Sequence, residues 1–268
     1  MMSVQNQQKN ADRFTGFSDV YDRARPAVPE YPVKLICEYL GRRPELTVDL
    51  GSGTGLSSLV WKEHCDRVIG VEPSGEMLAE ARKKEGGNLS FRQGFGNRTG
   101  LDSECADAVI CSQSFHWMEP ESTLREVNRI LKPGGVFATV DCDWPPVTKW
   151  QAEQAYMSAY NRVKQLESDL PDVRDSFVRY PKKKHLANMI ESGYFRYCRE
   201  IVFANEEPCT AERLVGLLMS QGSLQTVLKL HPELLQDDLE KFRRTVRETL
   251  GSGEFTVSFC YRMRIAVK

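Results

Sequence analysis

The chain reads as an α/β protein built on a doubly wound, mostly parallel sheet. Short apolar runs alternate with helical segments through five units over about 110 residues, the rhythm of βαβ connections. The first apolar run breaks into a glycine turn that opens the next helix, as open α/β sheets require at their ligand edge. Hydrophobic residues make up 41% and charged residues 27% of the 268-residue chain, enough apolar material for such a core.

Residues 1 to 12 read as a loose tail, and FSDVYDRARPAVPEYP as a helical or irregular segment that ends in prolines. VKLICEYLG then places Val33, Leu35, Ile36, Tyr39 and Leu40 at helical spacing, with Gly41 as the stop. LTVDL is the first strand, GSGTG the turn and LSSLVWKEH the helix it opens. RVIGVEPS is the second strand, and SGEMLAEARKKEG a helix capped by Ser74. LSFRQGF and ADAVICSQSF are strands three and four; PESTLREVNRILKPGG and VFATVDCD supply a helix and strand five. After Asp143 the rhythm changes. A proline pair precedes a long helix, WQAEQAYMSAYNRVKQLESDL, and KKKHLANMIESGYF reads as another helix. FRYCREIVFA is a sixth strand, TAERLVGLLMSQGSLQTVLKL and ELLQDDLEKFRRTVRETL are helical, and EFTVSFCYRMRIAVK alternates as the last strand.

The charge balance, 36 Lys+Arg against 37 Asp+Glu, gives no global attraction to nucleic acid or an anionic membrane. Lys182-Lys183-Lys184 reads as a solvated helix start, and no nucleic-acid partner is expected. No run approaches the roughly 20 apolar residues of a membrane span, and MMSVQNQQKN lacks the apolar stretch of a signal peptide. The eight cysteines include no CxxC and only four histidines accompany them, so free thiols in a reducing cytoplasm are expected and no metal site. Oligomeric state is not legible.

The chemistry concentrates in Asp49-Leu50-Gly51-Ser52-Gly53-Thr54-Gly55. Glycines let the backbone turn sharply and approach a ligand with no Cβ in the way. Leu56 stands where the dinucleotide fingerprint GxGxxG needs its third glycine. Asp49 at the strand end would repel a pyrophosphate but suits a cationic ligand. Glu72 ends the next strand, where an acid accepts hydrogen bonds from ribose hydroxyls. Two acids and three glycines describe a site for a cationic nucleoside, and S-adenosylmethionine is such a molecule.

VDLGSGTG, GVEPSGEML and LKPGGVFATV, in this order and spacing, resemble class I S-adenosylmethionine-dependent methyltransferases of the type-11-like, trans-aconitate-methyltransferase-like small-molecule branch. The resemblance covers residues 14 to 143. It implies a Rossmann-like, seven-stranded, mostly parallel sheet with an antiparallel last strand and a helical lid. The corresponding division is a flexible tail (1–12), a cofactor-binding core with an N-terminal cap (13–143), a lid insertion (144–180) and the remainder of the core (181–268), with a helical insertion at about 208–250. The resemblance further implies that Asp49, Gly51 and Gly53 approach the methionine part of the cofactor, and that Ser52, Gly55 and Ser112 belong to its binding site. Glu72 then binds the ribose and Pro73 flanks the adenine. In Gly94-Phe95-Gly96-Asn97 the usual acid near the adenine is replaced by Phe95 or Gly96, leaving Asn97 or a backbone carbonyl to take its part.

His116-Trp117 is similar to an HW pair that faces the transferred methyl group in that branch, and Phe14, Phe17, Tyr21, Arg25 and Pro26 resemble its closing segment. His116 is a general base, a substrate hydrogen-bond donor or a packed neighbour of Trp117; Tyr21 lines the pocket or packs its helix. Trp144 and Trp150 wall a substrate pocket or belong to a core. A carboxylate acceptor needs no base and would use cationic anchors such as Arg23 or Arg25. The expected activity is methyl transfer to a small molecule by in-line displacement. The alternatives are a cofactor-binding regulatory protein without turnover and an NAD-dependent oxidoreductase.

Overall fold

The computed structural model describes residues 9, 10, 22, 24–26 and 28–268. Phe14, Phe17, Tyr21 and Arg23 lie outside the described residues. Helix α1 (Glu30–Leu40) buries Pro32, Val33 and Ile36 and ends at Gly41, whose φ of 69° closes the helix with an N–H donated to Glu38. The sheet follows with β1 (Leu46–Leu50), α2 (Leu56–Leu59), β2 (Arg67–Glu72), α3 (Gly75–Arg82), β3 (Leu89–Gln93) and β4 (Ala106–Ser112). It continues through α4 (Pro120–Ile130) and β5 (Leu131–Cys142). Helices α5 (Trp150–Asp169), α6 (Pro171–Arg174) and α7 (His185–Glu191) precede β6 (Tyr197–Cys209). Helices α8 (Ala211–Met219), α9 (Gly222–Leu230) and α10 (Gln236–Leu250) lead to β7 (Phe255–Val267).

The seven strands lie in the order β3-β2-β1-β4-β5-β7-β6. Strands β1 to β5 pair in parallel; β7 runs antiparallel to both β5 and β6. This is the expected seven-stranded, Rossmann-like arrangement with its antiparallel last strand. Alternation along the strands feeds two cores. Ala108, Ile110, Val136, Ala138 and Val140 face one apolar cluster; Val48, Leu50, Val109, Cys111 and Phe137 face the other. The first cluster runs on through Tyr156 and Val163 of α5, Leu217 of α8, Val227 of α9 and Phe242 of α10, so these helices form one packed layer.

The chain winds outward from β1 to β3, then returns to place β4 on the other side of β1. That reversal opens a crevice at the carboxyl ends of β1 and β4. Several helices depart from the expected spans; PESTLREVNRILKPGG is helical only to Ile130, and Leu131 opens β5. The helix after the glycine turn stops at Leu59, because Trp61, Lys62 and His64 close tighter bonds onto residues three back. The segment from Ala211 breaks at Gln221, whose extended ψ of 123° starts α9 afresh. All eight cysteines are free thiols, and among the described residues no helix is long and apolar enough to cross a membrane.

Candidate active site

The turn after β1 takes its shape from its glycines. Gly51, Gly53 and Gly55 have φ of 67°, 55° and 87°, a left-handed conformation that side chains resist. A Cβ on Gly51 would lie 2.6 Å from the Ser114 Cβ, and one on Gly55 2.6 Å from the Phe91 ring. A Cβ on Gly53 would instead enter open space. That space belongs to a cavity lined by Gly51, Ser52, Gly53, Glu72, Pro73 and the loop Phe95-Gly96-Asn97, with Ser112, Trp117, Arg25 and Trp144 completing the wall. Val28, Leu56, Met77 and Met118 supply apolar surface. The crevice thus gathers residues that are dispersed along the sequence at strand ends.

Asp49 and Gly55 do not line this cavity; they support the turn from beneath. The buried Asp49 carboxylate accepts hydrogen bonds from Ser57 and Ser58, both 2.6 Å, and so fixes α2 against β1. Its other oxygen has no hydrogen-bond partner among the described residues. Burial raises the Asp49 carboxyl to about 6, against the two serine hydroxyls. Glu72 accepts from the Gly53 N–H at 2.9 Å and the Ser74 N–H at 2.8 Å, tying the turn to the end of β2. Burial is again the largest influence and raises Glu72 to about 7, opposed by those two N–H groups and reinforced by Asp49.

A second cavity adjoins the first. Arg25, Gln113, Trp117 and Trp144 line both. His116, Tyr160, Arg179, Tyr180, Lys182 and Gln221 line the second and not the first. Arg25 reaches it by donating to the Ser220 hydroxyl (2.9 Å) and carbonyl (3.0 Å), at the break between α8 and α9, and lies 4.9 Å from the Trp144 ring centre. Gln113 holds a left-handed backbone, φ 54°, directly after β4. Its side-chain oxygen accepts from the Lys182 ammonium at 2.8 Å.

Behind the second cavity sits Asp141, near the end of β5 and 2% exposed. It holds the Lys182 ammonium at 3.0 Å and the Arg264 guanidinium at 2.9 Å, and lies 3.1 Å from His185 Nδ1 and 3.8 Å from His116 Nδ1. Burial opposes its charge, but Lys182 and His185 outweigh burial and hold the carboxyl below the usual range. His116 is pushed well below the ordinary imidazole value by burial first and by Lys182 next, so its ring is unprotonated at neutral pH.

Two expectations are corrected here. Lys182 to Lys184 do open a helical stretch, with Lys183 and Lys184 exposed, but Lys182 is not simply solvated: it is bonded to Asp141 and Gln113 and faces the second cavity. Trp150 is 67% exposed at the start of α5 and lines neither cavity. Gln113, Arg179 and Lys182 escape a sequence reading because no local motif marks them; the one usable signal is Asp141, an acid inside the apolar run of β5.

A methyltransferase-domain family model matches residues 48–139. An uncharacterised methyltransferase of Schizosaccharomyces pombe is 33% identical over 229 residues, 84% of this chain and 85% of the relative. Among solved structures, a protein from Anaeromyxobacter dehalogenans assigned as a type II methyltransferase superposes with a TM-score of 0.66 at 22% identity, covering 91% of this chain and 97% of that one. Geranyl diphosphate C-methyltransferase from Streptomyces coelicolor, solved with S-adenosyl-L-homocysteine, gives 0.53 at 14% identity over 99% and 98% of the two chains. The chain belongs to the class I S-adenosylmethionine-dependent methyltransferases. It is an enzyme whose cofactor is S-adenosylmethionine, and this membership displaces the nicotinamide alternative.

Proposed function

We propose that the enzyme transfers the methyl group to a small-molecule acceptor held in the second cavity. The observation that carries this reading is the shared wall of Arg25, Gln113, Trp117 and Trp144, which sets a second chamber directly beside the first. The first cavity suits the cofactor: Glu72 offers a buried carboxylate, the space over Gly53 is open, and Pro73 and Phe95 flank it with apolar surface. When bound, S-adenosylmethionine supplies a sulfonium that makes its methyl group electrophilic.

The protein's own work is positional. Residues of the glycine turn, Glu72, Pro73, Phe95, Gly96, Asn97 and Ser112 hold the cofactor from the sheet edge. Trp117 and Trp144 exclude water where the two chambers meet. Holding the nucleophile in line with the breaking bond can lower the barrier by about 7–11 kcal/mol. His116, unprotonated and on the acceptor side, is the group available to take a proton. Phe95 and Gly96 leave the adenine to the Asn97 side chain and backbone carbonyls.

The test is transfer of radiolabelled methyl from S-adenosylmethionine into a cell extract divided by ultrafiltration. Label in the low-mass fraction, lost with Glu72→Ala, is the expected result. Label confined to protein or nucleic acid would refute a small-molecule acceptor.

A further inference from the structure

The second cavity is chemically lopsided. Three cations, Arg25, Arg179 and Lys182, line it, and no carboxylate does among the described residues. The acids that hold two of these cations sit behind the wall: Asp141 is 2% exposed, Glu167 is 8% exposed, and neither lines the cavity. The Arg179 guanidinium bonds Glu167 at 2.6 Å and the Ser223 hydroxyl at 3.3 Å. The Lys182 ammonium is fixed by Asp141 at 3.0 Å and by Gln113 at 2.8 Å. A guanidinium has five N–H donors and an ammonium three, so these bonds orient both heads and leave donors for a ligand. Pre-oriented cations backed by buried acids are what an anionic group needs in order to bind without reorganising the wall.

The same chamber also holds His116. Its Nδ1 has no hydrogen-bond partner among the described residues and lies 3.8 Å from the Asp141 carboxylate, which favours the tautomer with the proton on Nδ1 and leaves the Nε2 lone pair as the base. An acceptor whose nucleophile is already ionised has no use for a base. Cations and a base together therefore fit a molecule in which the ionised group and the nucleophile are different. Trp117, Trp144, Tyr160 and Tyr180 surround the space, and such faces select a flat body.

We propose that the acceptor is a compact, planar hydroxy acid, its acid group held by Lys182 and Arg179 and its hydroxyl facing His116. The hydroxyl oxygen forms the new bond to the methyl carbon. The carbon–sulfur bond breaks with its electron pair left on sulfur, which becomes a neutral thioether, and the hydroxyl proton passes to His116 and then to water. This rests on the reading of the second cavity as the acceptor site.

The test uses the full chain saturated with S-adenosylhomocysteine, with para-hydroxybenzoate as probe and its neutral isostere para-hydroxybenzamide as control. Binding is followed by calorimetry and by the fluorescence of Trp117 and Trp144. The acid should bind about tenfold more tightly than the amide. Arg179→Gln and Lys182→Met should each reduce that preference, and Arg179→Gln should leave S-adenosylhomocysteine affinity unchanged, which certifies that this variant is folded. Equal binding of acid and amide, or binding of neither to the cofactor-loaded protein, would overturn the proposal. Failure of S-adenosylhomocysteine itself to bind would instead refute the cofactor-site assignment, so the two failures are distinguishable.

Discussion

Glu72 and Asp49 are buried acids at the ends of adjacent strands, and both hold their protons unusually tightly: about 7 for Glu72 and about 6 for Asp49. A carboxyl with a folded pKa above its unfolded value contributes stability that is full below the unfolded pKa and is lost as pH rises through the folded one. For Glu72 that window runs from the ordinary 4.5 up to about 7, on the order of 3 kcal/mol. The cofactor changes the balance, because its ammonium and ribose hydroxyls favour carboxylates over carboxylic acids. We expect S-adenosylhomocysteine to release protons on binding at about pH 6.5 and none at about pH 8.5. Calorimetry in two buffers of different ionisation enthalpy measures this directly, and Glu72→Gln should diminish the release. Proton uptake, or equal heats in both buffers at the lower pH, would sink the linkage. These two acids were legible in the sequence because each ends a predicted strand, Asp49 just before the glycine turn and Glu72 on the strand that follows. That Asp49 acts from beneath the turn was not legible, since only the fold shows its carboxylate closed in by Ser57 and Ser58.

At the scale of elements, the helical layer over the second cavity depends on a few large side chains. Phe242 of α10 is buried and meets Tyr156 of α5 edge to face, with ring centres 5.8 Å apart. Tyr156 in turn accepts a hydrogen bond from Gln221, which lines the second cavity. Phe242→Ala should cost about 3–5 kcal/mol, from lost burial and the cavity left behind. A lowered urea midpoint is the readout. Because Phe242 is remote from the glycine turn, cofactor affinity of the folded variant should stay close to wild type, whereas binding in the second cavity weakens. An unchanged midpoint would mean that this layer is not one cooperative unit with the sheet. The βαβ rhythm was readable because buried parallel strands must be short apolar runs, and five of them stand in order. The shortened α2 and the break between α8 and α9 were not readable. The first follows from tight turns around the buried Trp61, and the second coincides with the place where Arg25, distant in sequence, bonds Ser220.

Across the whole molecule, the strand order sets the carboxyl ends of β1 and β4 beside that of β5, so cofactor and acceptor chambers share one wall. Lys182, Arg179 and Gln113 converge on the acceptor side from segments that no local pattern links, which is why the sequence reading named only His116, Trp117, Arg25 and Trp144 of that chamber while the glycine turn was plain. A shared wall has a thermodynamic consequence. Arg25, Gln113, Trp117 and Trp144 cannot adapt to one ligand without changing what the other meets. Allosteric coupling of this kind is typically about 1–3 kcal/mol, or roughly 5–150-fold, and it is reciprocal. S-adenosylhomocysteine should therefore tighten para-hydroxybenzoate by about tenfold, and the acid should tighten S-adenosylhomocysteine by the same factor. Four titrations close the cycle, each ligand with and without the other. Trp117→Phe should shrink both factors together, since one side chain serves both chambers. Affinities that are independent in all four titrations would show that the two chambers are walled separately in solution, and that the shared residues do not carry the ordering of one ligand to the other.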